Sequence, residues 1–400
     1  MKIRINRKKL ESYFILFPFL YPRGFSEYFP IYKQGMTVWL YMAILWIIIC
    51  FALKFIGGKL KVKNTILGIF LYFVIMLIET LILQGGVDEG LQKVFATPAL
   101  FMFFFIAFRD KIKEVISVIG NILLFDMALN CTVFCPFLLE KLLGENYITN
   151  INFIGHVQIC AQIGILGITV AYLILNFGYE RRAKILILLS LTTMLISGAI
   201  ASYISIILLI IAYLLYNHGG KCLITKFPPK LYFVLGTILQ AVIVPIVIYY
   251  KIDFGARYYV WIDGVRKLTH HYITGFGVYG VLIYTFWMEW TDSIGMNYAH
   301  NEVLQILLDG GITLLCGYLI MCLSLIRRYS VKIDRRSRYW FNCFLVLFLI
   351  IGVCESVTEY NYFYIFLLLL HFLPEIYMSC FKNKSRLVLV YEKDSIFLQL

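Results

Sequence analysis

The sequence predicts an all-α, polytopic membrane helical bundle of about twelve transmembrane helices, built as one integral-membrane domain over residues 1–400. Three observations predict it. First, the chain is 61% hydrophobic and only 15% charged, with a mean hydropathy of +0.82, whereas soluble domains carry about 25% charged residues. Second, apolar runs approaching the roughly 20 residues that cross a bilayer recur along its length. Backbone groups in hydrocarbon must be satisfied internally, so such runs are helices packed together. Third, with the N-terminus inside, 28 of the 36 Lys and Arg fall in inner connecting segments and 8 in outer ones. That is the positive-inside pattern, and it predicts cytoplasmic termini. The same distribution argues against a nucleic-acid partner for the +13 charge, because the cations are spread over short inner loops.

The elements follow in order. Leu10–Tyr21 is short and interrupted by Pro18, yet removing it inverts every later loop against the charge bias. The leading MKIRINRKK resembles a signal peptide, but no small-residue cleavage site follows the run, so a retained helix is expected. Val38–Phe55, Thr65–Leu83 and Val94–Phe108 come next, then Val115–Leu139 and Phe153–Phe177. The apolar stretch Ala183–Tyr216 is about 34 residues, too long for one crossing, and Ser197-Gly198 divides it into Ala183–Ile196 and Ile200–Tyr216. Leu231–Tyr250 leads into the one large extracytoplasmic loop, about 251–299. Val303–Ile326, Tyr339–Cys354 and Tyr362–Met378 complete the set, followed by a cytoplasmic tail over about 380–400. The cysteines lie almost wholly inside spans, with Cys222 in an inner loop, and are expected as small core residues without disulfide or zinc spacing.

Ionisable residues at membrane depth are costly and often functional. Glu79 is near the outer end of its span, where reaching water is easy, and a structural role is expected. Asp126 is mid-span in NILLFDMALN between Asn121 and Asn130, with His156 and Gln162 as candidate partners for a proton or ion path. The outer loop is the stronger candidate. Arg257, Trp261, Gly264, Val265 and Leu268 share one face of an amphipathic helix. That helix is expected along the membrane surface, with Tyr258, Tyr259 and Trp261 at headgroup level. Arg257 and Arg266 are about 13 Å apart along its axis; as isolated residues they could simply anchor to lipid phosphates.

ITGFGVYG supplies Gly275 and Gly277, whose use is close backbone approach to a ligand or a sharp turn. No strand precedes it, so no dinucleotide site is implied. His300 and Asn301 then open the apolar helix of AHNEVLQILLDGG. Asn301 can cap that helix, its N-terminus favours an anion, and an imidazole there suits a general base.

These residues resemble the signature of the O-antigen polymerase and O-antigen ligase superfamily of bacterial envelope glycosyltransferases. Arg257, Trp261, Arg266, Gly275 and Gly277 match its first block. His300, Asn301, Leu304, Gln305, Asp309 and Gly311 match its second. The match covers about 55 residues closely, and the span pattern agrees with the family's. The chain departs from the family at Tyr272, where Pro is frequent, and at Ser197–Ser202, whose SGAIAS lacks a frequent Arg.

The resemblance implies a GT-C-like fold and glycan transfer from an undecaprenyl-pyrophosphate-linked oligosaccharide to an acceptor hydroxyl, without metal or other cofactor, at the outer face of the cytoplasmic membrane. His300 would be the general base. Arg257 and Arg266 would bind the pyrophosphate, with Asn301, Gly275 and Gly277 also on the substrate. A guanidinium is always charged and binds phosphate oxygens bidentately, so it can take the place of a metal. The Ile-, Lys-, Phe-, Tyr- and Asn-rich composition suggests a low-GC genome and favours a polymerase of capsule, exopolysaccharide or O-antigen, with a flippase and a chain-length regulator as partners. A ligase acting on a lipid A-core acceptor is the alternative within the family. A lipid-linked glycan flippase is the alternative from another class.

Overall fold

The computed structural model describes residues 7–57, 64–84, 88–148, 150–283, 298–326 and 333–379. Residues 284–297 of the large outer loop and the expected tail at 380–400 lie outside the described residues. Among the described residues there is no β-strand, only an isolated bridge between Ile151 and His156.

The first half of the chain forms α1 (Arg7–Leu20), α2 (Arg23–Tyr28), α3 (Pro30–Ile56), α4 (Asn64–Gln84), α5 (Asp88–Asp110), α6 (Ile112–Cys131), α7 (Pro136–Leu143) and α8 (Cys160–Asn176). The second half forms α9 (Glu180–Ile196), α10 (Ile200–Asn217), α11 (Lys221–Lys226), α12 (Pro229–Tyr249), α13 (Ala256–Leu268), α14 (Glu302–Ile326), α15 (Arg335–Cys354) and α16 (Asn361–His371). Among the described residues six helices (α3, α8 with the turn before it as Val157–Asn176, α10, α12, α14 and α15) are long and apolar enough to cross a membrane, or up to eight spans if each of two bent pairs counts as one. The remaining expected spans are shorter pieces. α1 has only 14 residues with Pro18 inside it, and α4 and α5 contribute the apolar stretches Leu67–Leu83 and Gln92–Ala107.

Two expected spans are bent. Val115–Leu139 is broken: α6 ends at Cys131 and Pro136 starts α7, turned by 64°. Proline lacks the amide that would continue α6 but fits the first position of a new helix. Tyr362–Met378 likewise becomes α16 and Leu373–Ser379, bent by 59°.

α8 is the centre of the bundle, with 83% of its apolar window buried, against 28% for α3 and α12 and 22% for α10. A helix that is apolar all round and buried forms a core. Those with large apolar faces left open, such as Ile200, Ile207 and Ile211 on α10, need a nonaqueous surround. The chain therefore reads as a multi-pass membrane protein.

α14 does not run straight. Gly310 (φ −157°) and Gly311 (φ 59°) interrupt it, and the loop 272–276 seals the break. Ile312 N–H donates to Tyr272 O at 2.9 Å, and Phe276 N–H donates to Leu308 O at 2.8 Å. Glu79, expected to reach water, is instead buried beside this break and accepts a hydrogen bond from the Thr313 hydroxyl.

Segments that the charge bias assigns to one side meet at one end of the bundle. Phe25 N–H donates to Phe153 O at 3.0 Å, Val278 N–H to Thr80 Oγ1 at 3.2 Å, and Asn361 Nδ2 to Phe19 O at 3.2 Å. At the other end Lys111 pairs with Glu11, Arg182 Nη1 reaches Ser117 Oγ at 3.0 Å, and Tyr172 and Ser337 hydroxyls meet at 2.9 Å.

Candidate functional site

The site is built at the junction of α13, the start of α14 and the turn after α15. α13 is amphipathic, as its sequence face predicts, but it packs against α12 and α14. Trp261 is fully buried, stacks on Phe254 with ring centroids 5.2 Å apart, and donates Nε1–H to Ala299 O at 2.9 Å. It is a core residue, which corrects the expectation of a headgroup anchor. A large apolar ring gains from burial once its N–H has found a partner. Tyr259, 50% exposed, is an aromatic residue of this helix that does face outward.

Asn301 caps α14 as expected: its Oδ1 accepts from Leu304 N–H at 2.9 Å. Its Nδ2 donates to Gln240 O and Val353 O, each at 3.0 Å, and the side chain is fully buried. Every polar atom of that amide is therefore committed to holding α14 against α12 and α15, none to a substrate. Gln305 Oε1 accepts from Ala299 N–H at 2.7 Å. Between these two anchors His300 is held at φ 53°, a left-handed conformation that non-glycine residues occupy only when neighbours enforce it.

The His300 imidazole is half-buried and faces Glu355, with Nδ1 3.1 Å from Oε2. Glu355 is fully buried just past the end of α15. Its Oε1 accepts from Arg257 Nη2 at 2.5 Å, and its Oε2 also accepts from Tyr298 OH at 3.1 Å. Arg257 Nε donates to Cys354 O at 3.1 Å. The Tyr298 ring meets His300 edge-on at 4.4 Å. Burial first, then the Glu355 charge, raises the Tyr298 phenol well above its ordinary range, so it stays a donor. His156 joins from the segment before α8. Burial lowers its pKa from the ordinary 6.5, while the charges of Glu355, His300 and Arg257 all reach it.

A second network adjoins the first. Lys93 at the start of α5 pairs with Glu359 at 2.8 Å and approaches Asp309 at 4.0 Å. Tyr279 OH donates to Glu359 Oε2 at 2.5 Å, and Gln305 Nε2 donates to Asp309 Oδ1 at 2.9 Å.

The structure thus brings Arg257 and His300 together and separates Arg266 from both. Arg266 is at the far end of α13, 75% exposed, and bonded to Asp263 at 2.5 Å. Gly275 (φ 62°) packs on the α14 break: a Cβ there would lie 2.5 Å from Gly310 N and 2.7 Å from Gly311 N. Gly277 (φ 81°) starts a turn closed by Gly280 N–H at 2.9 Å. Asp126 is buried with neither carboxylate oxygen hydrogen-bonded, and His156 belongs to the Glu355 cluster. Glu355 and Glu359 are the residues that motif reading missed. Their signal was two acids in ESVTEYNY, a polar interruption between two apolar runs.

Chemically, a buried carboxylate that fixes one ring nitrogen of a histidine leaves the other free to exchange a proton. A guanidinium on the same carboxylate sets a cation beside that proton acceptor. No known protein-family model matches the chain, and no curated protein matches it.

Proposed function

We propose that this chain polymerises undecaprenyl-pyrophosphate-linked oligosaccharide repeat units into capsule, exopolysaccharide or O-antigen at the outer face of the cytoplasmic membrane. In this reading about twelve helical elements form a GT-C-like bundle with both termini in the cytoplasm. The observation that carries it is the single carboxylate of Glu355 joining His300 to Arg257. Those are the two residues to which the sequence resemblance gives the base and the phosphate ligand.

In the proposed step the acceptor hydroxyl oxygen bonds to the anomeric carbon of the donor sugar, and the bond from that carbon to the pyrophosphate oxygen breaks. The hydroxyl proton passes to His300 Nε2, because Nδ1 is held by Glu355. The electron pair leaves with the pyrophosphate, whose growing charge the Arg257 guanidinium stabilises. Arg266 falls to a peripheral role, consistent with its exposure and its pairing to Asp263. The bilayer holds the lipid-linked donor beside the site. Flippase and chain-length regulator would act before and after the step.

The test is reconstitution of the purified protein with a synthetic lipid-linked repeat unit. A ladder of longer chains is expected from wild type, and single units alone from His300→Ala. A ladder from His300→Ala would overturn the base assignment. Transfer only when a lipid A-core acceptor is added would make the protein a ligase. One observation favours a transporter instead: Asp126, Asn130 and Gln162 are buried polar side chains without hydrogen bonds. Movement of a fluorescent lipid-linked glycan across vesicles, with no chain growth, would decide for that reading.

A further inference from the structure

We propose that Arg23 is a phosphate-binding residue of this site and takes the diphosphate of the lipid-linked donor, an assignment that rests on the donor chemistry above. Arg257 is bonded to Glu355, Lys93 to Glu359, and Arg266 and Lys267 to Asp263. Arg23 is half-buried, and among the described residues its guanidinium makes no hydrogen bond or ion pair; only its carbonyl is engaged, by the Ser26 hydroxyl. Its guanidinium lies over the Tyr360 ring, 5.2 Å from the centroid. Tyr21, Tyr279, Tyr360 and Tyr362 are all within its electrostatic reach.

A guanidinium partly withdrawn from water is ordinarily matched by an anion, because that desolvation is otherwise uncompensated. An aromatic face compensates only in part. None of the acids nearby is its partner: Glu355 and Glu359 already hold other cations, and Asp126, whose charge also reaches Tyr362, makes no hydrogen bond to it. What is left is a charged planar fork that fits two phosphate oxygens at once.

Its position suits the assignment. α2 is tied down by Phe25 N–H on Phe153 O at 3.0 Å. Tyr360, on whose ring Arg23 rests, is itself reached by the charges of Glu359, Glu355 and Lys93. Arg23 is therefore across one tyrosine from the Arg257–Glu355–His300 network, on a different part of the chain from either sequence block that suggested the chemistry.

The experiment uses full-length protein in phosphatidylcholine nanodiscs, with or without phosphatidylglycerol, titrated with radiolabelled farnesyl diphosphate. Arg23→Gln is expected to weaken binding about tenfold or more, as loss of a charge-assisted pair should. Arg23→Lys, which keeps the charge and loses the fork, should fall between the two. Affinity unchanged in Arg23→Gln overturns the proposal. If that variant instead loses only its co-purifying phosphatidylglycerol, Arg23 is an anchor for bulk lipid. Should Arg23→Gln fail to accumulate, Arg23→Lys decides, and wild-type affinity there overturns the assignment. Wild type that binds no farnesyl diphosphate overturns the donor chemistry as well, whereas binding indifferent to Arg23 leaves that chemistry standing.

Discussion

Glu355 is one buried negative charge serving Arg257, Tyr298 and His300, so its amide analogue tests all three links together. Glu355→Gln should lower chain growth by about 10²–10⁴-fold, the usual contribution of a positioned base, with the protein still present in the membrane. Activity near wild type in the reconstituted assay would remove Glu355 from the mechanism. His156 gives a different readout. Its pKa is lowered by burial from the ordinary 6.5, so the unfolded chain binds this proton more readily than the folded one. The stability it contributes is present above about pH 6.5 and is lost as the pH falls towards the folded value. Melting temperatures measured from about pH 7.5 to about pH 5 should fall less steeply in His156→Gln than in wild type. Residue types and spacing exposed Arg257, Asn301 and His300 to sequence reading. Glu355 was not exposed, because its partners are 55 and 98 positions away and only the fold brings them near.

The break in α14 is the element that most changes the reading of the loop before it. Gly275 was a candidate ligand for substrate, but its positive φ and the crowding by Gly310 and Gly311 make it part of a seal. Gly275→Ala should destabilise by more than about 1–2 kcal/mol, the cost of a left-handed alanine before any clash is counted. The expected measurement is a lower melting temperature and lower yield in detergent, with donor affinity unaltered in the protein that does fold. Helix existence was legible almost everywhere, since apolar runs are long and glycines and prolines punctuate them. The bends were less so. Pro136 was visible in the sequence, yet a continuous apolar run outweighed it, and Gly310-Gly311 gave no sign that the loop 272–276 would supply the missing partners. Trp261 misled for a related reason: aromatic residues near a membrane edge look alike whether they face lipid or a neighbouring helix.

Across the molecule, the sorting of segments to two ends agrees with the charge bias that suggested the topology. Tyr250, 69% exposed at the end of α12, and His218, exposed after α10, should label oppositely as single cysteines in a cysteine-free background. A membrane-impermeant thiol reagent on intact cells is expected to modify Tyr250→Cys and spare His218→Cys; the reverse result would invert the bundle. That two-ended arrangement also bears on how the protein is made. Arg23 lies near one end of the chain and Tyr360 near the other, yet they touch, and Glu355 is supplied only after α15. Chains emerge from the ribosome N-terminus first and fold as they appear, and contacts distant in sequence form late because a long loop must close. Every growing chain that ends before Glu355 therefore lacks the acid that unites the site, and the bundle must hold its place in the bilayer before it can do any chemistry.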